Sequence, residues 1–335
     1  MNDLEFNFSE IINMIEERRK NAYKKVNEEL ISLYWDFGKY ISEKVNDSNW
    51  GDKIVDKLVE FMKREYPTMR GFNKRGIYRM KQFYETYKDF PFVSPLVTQI
   101  SWTNNLLILS GTNSIEEKEF YIKMCIKNNY SKRELDRQIS SGYFHRYMLS
   151  DGKANQSLSK TMGEEDYPNT KILDTYSLEF LDLPNNYSEK DLKKAIISNM
   201  RDFILEIGND FSFVGEEYKV QVGNEDFYID LLFYNRTLSC LVAFELKIGK
   251  FKPEYISKMD FYLEALDRQE KKKNENPSVG VILCASKDVQ VVEYAMSRSM
   301  SPTMVSQYTL KLIDKKLLEN KLKEITNIVE ENNNK

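Results

Sequence analysis

Two apolar, β-prone runs carry charges where an interior strand tolerates them least. Phe227-Tyr228-Ile229-Asp230-Leu231-Leu232-Phe233-Tyr234 is followed by Leu241-Val242-Ala243-Phe244-Glu245-Leu246-Lys247. Both read as buried strands, because aromatic and β-branched side chains favour a covered, pleated surface. An unpaired carboxylate or ammonium in such a strand is expensive, so Asp230, Glu245 and Lys247 need partners. Side chains alternate along a strand, which puts Glu245 and Lys247 on one face and Phe244, Leu246 and Ile248 on the other. An even-length turn centred on Asn235-Arg236-Thr237-Leu238 brings Asp230 to the same face, opposite Ala243 and diagonal to Glu245. A divalent metal held by Asp230 and Glu245, with Lys247 beside the reacting atom, satisfies the charges and supplies a chemistry. Ordinary strand-end ion pairs are the competing reading.

The order Asp230, then Glu245-Leu246-Lys247, after a helix bearing Glu206 and before a helix starting near Pro253, resembles the PD-(D/E)XK nuclease superfamily. The wider text narrows the likeness. Glu225 to Tyr234, Glu245-Leu246-Lys247-Ile248-Gly249-Lys250-Phe251-Lys252-Pro253-Glu254-Tyr255 and Gly280-Val281-Ile282-Leu283-Cys284-Ala285 are similar to the YhcG-like family of nucleases, over nearly the whole chain. The resemblance implies a restriction-endonuclease-like core, with Asp230 and Glu245 as metal ligands, Lys247 as the catalytic lysine and Glu206 as an additional acidic group and metal ligand. Relatives often carry Gln, then Tyr four residues later, on the helix after the catalytic strand. Here Tyr262 is present, but Lys258 occupies the Gln position. A lysine cannot accept a hydrogen bond as an amide does, so the orienting role at that point is in question and a phosphate contact is the alternative.

Composition narrows the remaining classes. A chain of 335 residues with 41% hydrophobic content is long for one core and ample for two. Its net charge of -3 gives no global attraction to nucleic acid, so any such binding must use local basic patches. Cys125, Cys240 and Cys284 lack CxxC spacing and read as small buried hydrophobes rather than a disulfide framework or a structural zinc site. Met1-Asn2-Asp3-Leu4-Glu5 has no apolar signal core and no apolar run reaches membrane-spanning length, which predicts a cytoplasmic protein without a membrane partner. His145 is the single histidine, so zinc hydrolysis and phosphodiester chemistry by histidine pairs are not available to this chain. Neither a Gly-x-Ser-x-Gly elbow nor a GxxxxGK[ST] phosphate loop is present. Carboxylates must do the work.

The pattern predicts a multi-domain chain, α and α/β: a helical, helix-turn-helix-like domain over residues 1–150, a linker over 151–170 and a mixed α/β core over 171–335, which the resemblance implies is restriction-endonuclease-like. Apolar spacing from Ile11 through Ile15, Val26, Leu30, Leu33 and Tyr34 to Phe37 fits one long helix or two. A second helix carries Ile54, Val55, Leu58, Phe61 and Met62, and Asn73 is the N-cap of a third that reaches about Tyr87. On that third helix Ile77, Met80, Tyr84 and Tyr87 gather on one side, Arg75 and Arg79 fall opposite, and Lys74 and Lys81 lie on the flank. Helix, Gly-containing turn and basic helix suit a major groove, although a charged outer face is ordinary for any surface helix. Trp35, Trp50 and Trp102 read as core residues. In the second half Ser188 caps a helix running to Gly208. Strands are expected near 218–222, 227–234, 239–247, 279–284 and 308–313, with helices near 253–269 and 288–298 and a last one capped by Asp314.

These readings converge on metal-assisted phosphodiester hydrolysis with Mg²⁺, Mn²⁺ being a substitute. Lys250 and Lys252, just past the catalytic strand, suit backbone phosphates or are simply solvated. The expected activity is that of a nuclease, endonuclease before exonuclease, with nucleic acid, DNA before RNA, as partner. A homodimer or a defence-complex partner is a candidate association. The main alternative is a nucleic-acid-binding adaptor or defence-complex subunit with a weak or inactive core.

Overall fold

The computed structural model describes residues 3–46, 52–150, 172–299 and 301–333. The linker expected over 151–170, and Trp50, lie outside the described residues. The chain divides into two compact units, residues 1–139 and 140–335.

Helices build the first unit: α1 (Asp3–Asn46), α2 (Asp52–Glu65), α3 (Lys74–Tyr87), α4 (Ser94–Val97), α5 (Trp102–Gly111), α6 (Ile115–Asn128) and α7 (Lys132–Ser140). The spacing from Ile11 to Phe37 resolves as the single helix α1. It approaches α3 closely at Gly38, where a Cβ would collide with the Met80 carbonyl. Asn73 caps α3 as expected, its Oδ1 accepting the Gly76 N–H at 2.8 Å. Ile77, Met80, Phe83 and Tyr87 are the buried residues of that helix. Phe83 takes the place expected for Tyr84, because its ring sits edge-on to Trp35 and Trp102, at 5.8 and 5.2 Å. Residues 66–73 join α2 to α3, a connection longer than the three or four residues of a helix-turn-helix turn.

The second unit contains α8 (Tyr143–Leu149), β1 (Thr175–Ser177), α9 (Glu189–Ser198), α10 (Met200–Ile207), β2 (Phe211–Val222), β3 (Glu225–Asn235) and β4 (Cys240–Lys250). After these come α11 (Glu254–Gln269), β5 (Val279–Ser286), α12 (Val289–Met296), β6 (Thr303–Thr309) and α13 (Lys315–Asn333). The six strands form one sheet in the order β1-β6-β5-β4-β3-β2. β2, β3 and β4 pair antiparallel, while β4, β5, β6 and β1 pair parallel, so the sheet is mixed as expected. Ile256, Met259, Leu263 and Leu266 of α11 cover one face against Ala243 and Ile282. Gly280 makes room for Met259 in that layer. Phe244, which alternation turns to the other face, meets Phe203 of α10.

Four elements depart from the sequence reading. The helix expected from Ser188 to Gly208 breaks at Asn199, whose side-chain amide donates to the Ala195 carbonyl at 2.9 Å. β6 occupies Thr303–Thr309 rather than 308–313. Its polar residues hide it, since Ser306 is fully buried and donates to the Leu173 carbonyl at 2.7 Å. β1 was not expected at all, and three residues are too few to carry a periodicity. β2 begins at Phe211, well before the expected 218, and an irregularity between Phe213 and Gly215 obscures its alternation.

Candidate active site

The site is made where β3 and β4 stop pairing. Their ladder runs from Asn235 with Cys240 to Leu231 with Phe244. The loop Arg236–Ser239 is closed by Asn235 Oδ1, which accepts the Leu238 N–H at 2.9 Å, and Ser239 takes a left-handed φ of 49°. The loop is even in length, as expected, but centred one residue later. Leu232, not Asp230, therefore faces Ala243. Extending that register puts Asp230 opposite Glu245, one step past the last pair. There the Asp230 side chain takes over from the ladder: Oδ2 accepts the Leu246 backbone N–H at 2.9 Å.

Glu245 is 2% exposed. Its Oε1 lies 2.9 Å from Lys247 Nζ and 2.5 Å from Lys258 Nζ, while its buried Oε2 has no hydrogen-bond partner. Lys247 also reaches Glu189 Oε2 at 3.2 Å and lies over the Tyr255 ring. Burial disfavours the Lys247 ammonium, but its bonds to Glu245 and Glu189 outweigh this and hold its pKa above the usual lysine value. Lys258 is balanced the same way, burial opposed by Glu245, with the pKa again raised. Asp230 Oδ1 lies 3.6 Å from Lys193 Nζ, which pairs with Glu217 at 2.6 Å.

Among the described residues no three His, Cys, Asp or Glu side chains group closely enough to hold a metal ion. The donor set here is two carboxylates. Mg²⁺ keeps several waters and commonly takes one or two carboxylates together with substrate phosphates. Glu245 Oε2 is a buried acceptor without a hydrogen-bond partner, open to a ligand. The residues fit a small, hard cation.

Residues 169–323 match the YhcG PDDEXK nuclease domain, and residues 10–146 match the DUF1016 N-terminal domain. The chain thus joins a DUF1016 N-terminal domain to a YhcG PDDEXK nuclease domain. It is 28% identical to the "Putative nuclease YhcG" of Escherichia coli (strain K12), over 96% of this chain and 94% of that protein. Two solved structures align over 39% of this chain: a repair endonuclease from Pyrococcus abyssi (14% identity, 50% of that chain, TM-score 0.26) and an EndoMS-dsDNA2 complex (16% identity, 48% of that chain, TM-score 0.26). Both superpose too poorly to establish a common fold.

Lys258 stands where the resemblance led to Gln being expected. Its half-exposed ammonium turns inward to Glu245 and lies over the Tyr262 ring at 5.2 Å. The Tyr262 hydroxyl donates to the Tyr228 carbonyl at 2.7 Å, fixing α11 to β3. Glu206 is not brought to Asp230 or Glu245. It is fully buried on α10, accepts the Ser177 N–H at 2.7 Å and forms an ion pair with Arg146. Arg146 in turn donates to the Ser141 carbonyl at 3.1 Å, to Ser141 Oγ at 3.0 Å and to the Thr175 carbonyl at 3.2 Å. These bonds tie α8 to β1 and α10 within the second unit.

Sequence reasoning missed Glu189 and Lys193. They stand four residues apart on α9 and so share the face beside the buried Leu192 and Ile196. The spacing was legible, but the apposition of α9 to β4 is tertiary. Lys250 is exposed at the end of β4, and Lys252 lies 3.7 Å from Glu254 in the following loop. On α3, Lys74 is paired with Asp56 at 2.9 Å and Lys81 with Glu85 at 2.7 Å. No ion pair is found for Arg75 or Arg79 among the described residues. No helix among those residues is long and apolar enough to cross a membrane.

Proposed function

We propose that this protein is a divalent-metal-dependent nuclease that cuts phosphodiester bonds within DNA. The observation that carries the reading is the Leu246 N–H bond to Asp230, which fixes that carboxylate beside Glu245 and its unsatisfied Oε2. Asp230 and Glu245 would hold Mg²⁺, with Mn²⁺ as a substitute; when bound, the ion polarises the scissile phosphate and acidifies an attacking water. Lys247, rigidly carried on β4 and held between Glu245 and Glu189, supplies a fixed cation to orient that water or to balance charge developing on the phosphate. Lys258 turns from Glu245 toward a backbone phosphate when substrate enters, and Lys250 and Lys252 hold the flanking strand. The three buried, free cysteines suit a reducing compartment, and we assign the protein to the cytoplasm.

Labelled DNA and RNA incubated with the protein should be cut only with Mg²⁺ or Mn²⁺, DNA internally and faster, and EDTA should stop the reaction. Cleavage that persists in EDTA would overturn the reading. A second reading is a nucleic-acid-binding adaptor with a silent core. It is favoured by the two lysines on Glu245 Oε1, which balance that carboxylate without an ion. Binding without cleavage in any divalent metal would select it.

If α3 docks on DNA, its phosphate contacts fall chiefly to Arg75 and Arg79, since Lys74 and Lys81 are engaged by acids. Each phosphate contact contributes about 0.9 to the slope of log K against log salt for duplex DNA. Arg75→Ala with Arg79→Ala should therefore flatten the slope by roughly two units and leave the fold intact, both residues lying outside the buried set of α3. An unchanged slope in a binding titration across salt assigns capture to another surface.

A further inference from the structure

From residue 8 to residue 26, α1 is exposed at every position. Packing on the body of the unit is in place at Asn27, whose amide donates to the Thr98 and Ile100 carbonyls at 3.1 and 3.0 Å. These residues make about 28 Å of helix. Yet they carry large apolar side chains: Phe8 is 56% exposed, Ile12 54%, Ile15 52% and Val26 67%. At about 100° per residue, Phe8, Ile11, Ile12, Ile15, Ala22, Tyr23 and Val26 fall in an arc of about 120°, the width of a packing stripe. An apolar stripe of this extent marks an interaction surface.

The charges identify what covers it. Residues 8–17 contain Glu10, Glu16 and Glu17 and no Lys or Arg, whereas residues 18–27 contain Arg18, Arg19, Lys20, Lys24 and Lys25 and no acid. The segment is self-complementary when reversed. A parallel pair of such helices sets like charge against like, and an antiparallel pair sets acidic half against basic half. We propose that residues 8–26 of α1 form an antiparallel helix pair with the same residues of a second copy of this chain, about a two-fold axis near Glu17. That symmetry faces Phe8 with Val26, Ile11 with Tyr23 and Ile12 with Ala22, so three apolar positions of one half meet apolar positions of the other. Arg19, the one cation inside the stripe, faces Ile15 beside the axis, where its stem covers apolar surface and its guanidinium reaches an acidic residue of the other copy. The acidic first half makes an anionic membrane surface the poorer occupant of this stripe.

Sedimentation equilibrium of the full chain should give a concentration-dependent dimer, and Ile12→Glu with Ile15→Glu should give a monomer with unchanged helix content. Both positions are solvent-exposed, so the double substitution spares the core. Orientation is read by cross-linking, which the three buried native cysteines do not disturb. An equimolar mixture of the Phe8→Cys and Val26→Cys proteins should form the mixed disulfide in preference to either homodisulfide. A monomeric wild type, a dimer that survives the double substitution, a dominant Phe8→Cys homodisulfide, or binding to anionic phospholipid vesicles by a chain that stays monomeric would each overturn the proposal.

Discussion

Glu245→Ala is expected to lower cleavage by on the order of 10³-fold or more, and Asp230→Ala by a similar factor, while DNA binding changes little. A bound ion contributes several kcal/mol to the transition state, and each 1.36 kcal/mol is a factor of ten. The two residues differ in what else they do. Asp230 also satisfies the Leu246 N–H, so Asp230→Ala strands a backbone donor at a cost of about 1–3 kcal/mol. Asp230→Asn keeps an acceptor there and removes the charge, and is the cleaner variant. Glu245→Ala brings no gain from relief of like-charge repulsion, because Glu245 is the partner of Lys247 and Lys258. Single-turnover cleavage beside a binding titration separates the effects. Full activity in either variant at saturating Mg²⁺ would remove that residue from the site.

The largest effect on stability belongs to Arg146 and Glu206. Both side chains are almost wholly buried, and removing either takes from the other its partner in the ion pair. Such a loss typically costs about 3–5 kcal/mol, a large part of a domain's total. Arg146→Ala and Glu206→Ala should each shift the urea unfolding of the second unit by that amount. The pair Arg146→Met and Glu206→Leu should recover most of it, since apolar replacement of a buried ion pair is often neutral. Cleavage should survive in that double variant, as it would not if Glu206 held the metal. Single variants within about 1 kcal/mol of the wild type would refute the structural role.

The charged residues in the two apolar runs were legible because strand alternation is local and the cost of a buried charge is general. The parity of Asp230 with Glu245 followed from an even loop. The register did not, because Asn235 closes its turn on Leu238 through a side-chain bond and shifts the pairing by two residues. Glu206 resisted assignment for a different reason. Sequence reveals an acid on an amphipathic helix, but Arg146 lies 60 residues away, and only the packed fold brings them together. Glu189 and Lys193 were hidden likewise, since nothing local says that α9 borders β4. The buried, polar Thr303 and Ser306 pushed the expected last strand on to 308–313, although a polar residue such as Ser306 belongs in a strand interior once bonded. The apolar stripe of α1 was legible as helix, but that no part of its own unit covers it was not.

If Asp230 and Glu245 form one ion site, neither carboxylate alone should hold the ion. Isothermal titration of Mg²⁺ and of Mn²⁺ into the wild type, Asp230→Asn and Glu245→Gln tests it without substrate turnover. The wild type should bind the ion, and both variants should lose that binding while each remains folded. Binding of undiminished affinity in either variant, or no binding by the wild type, would contradict it.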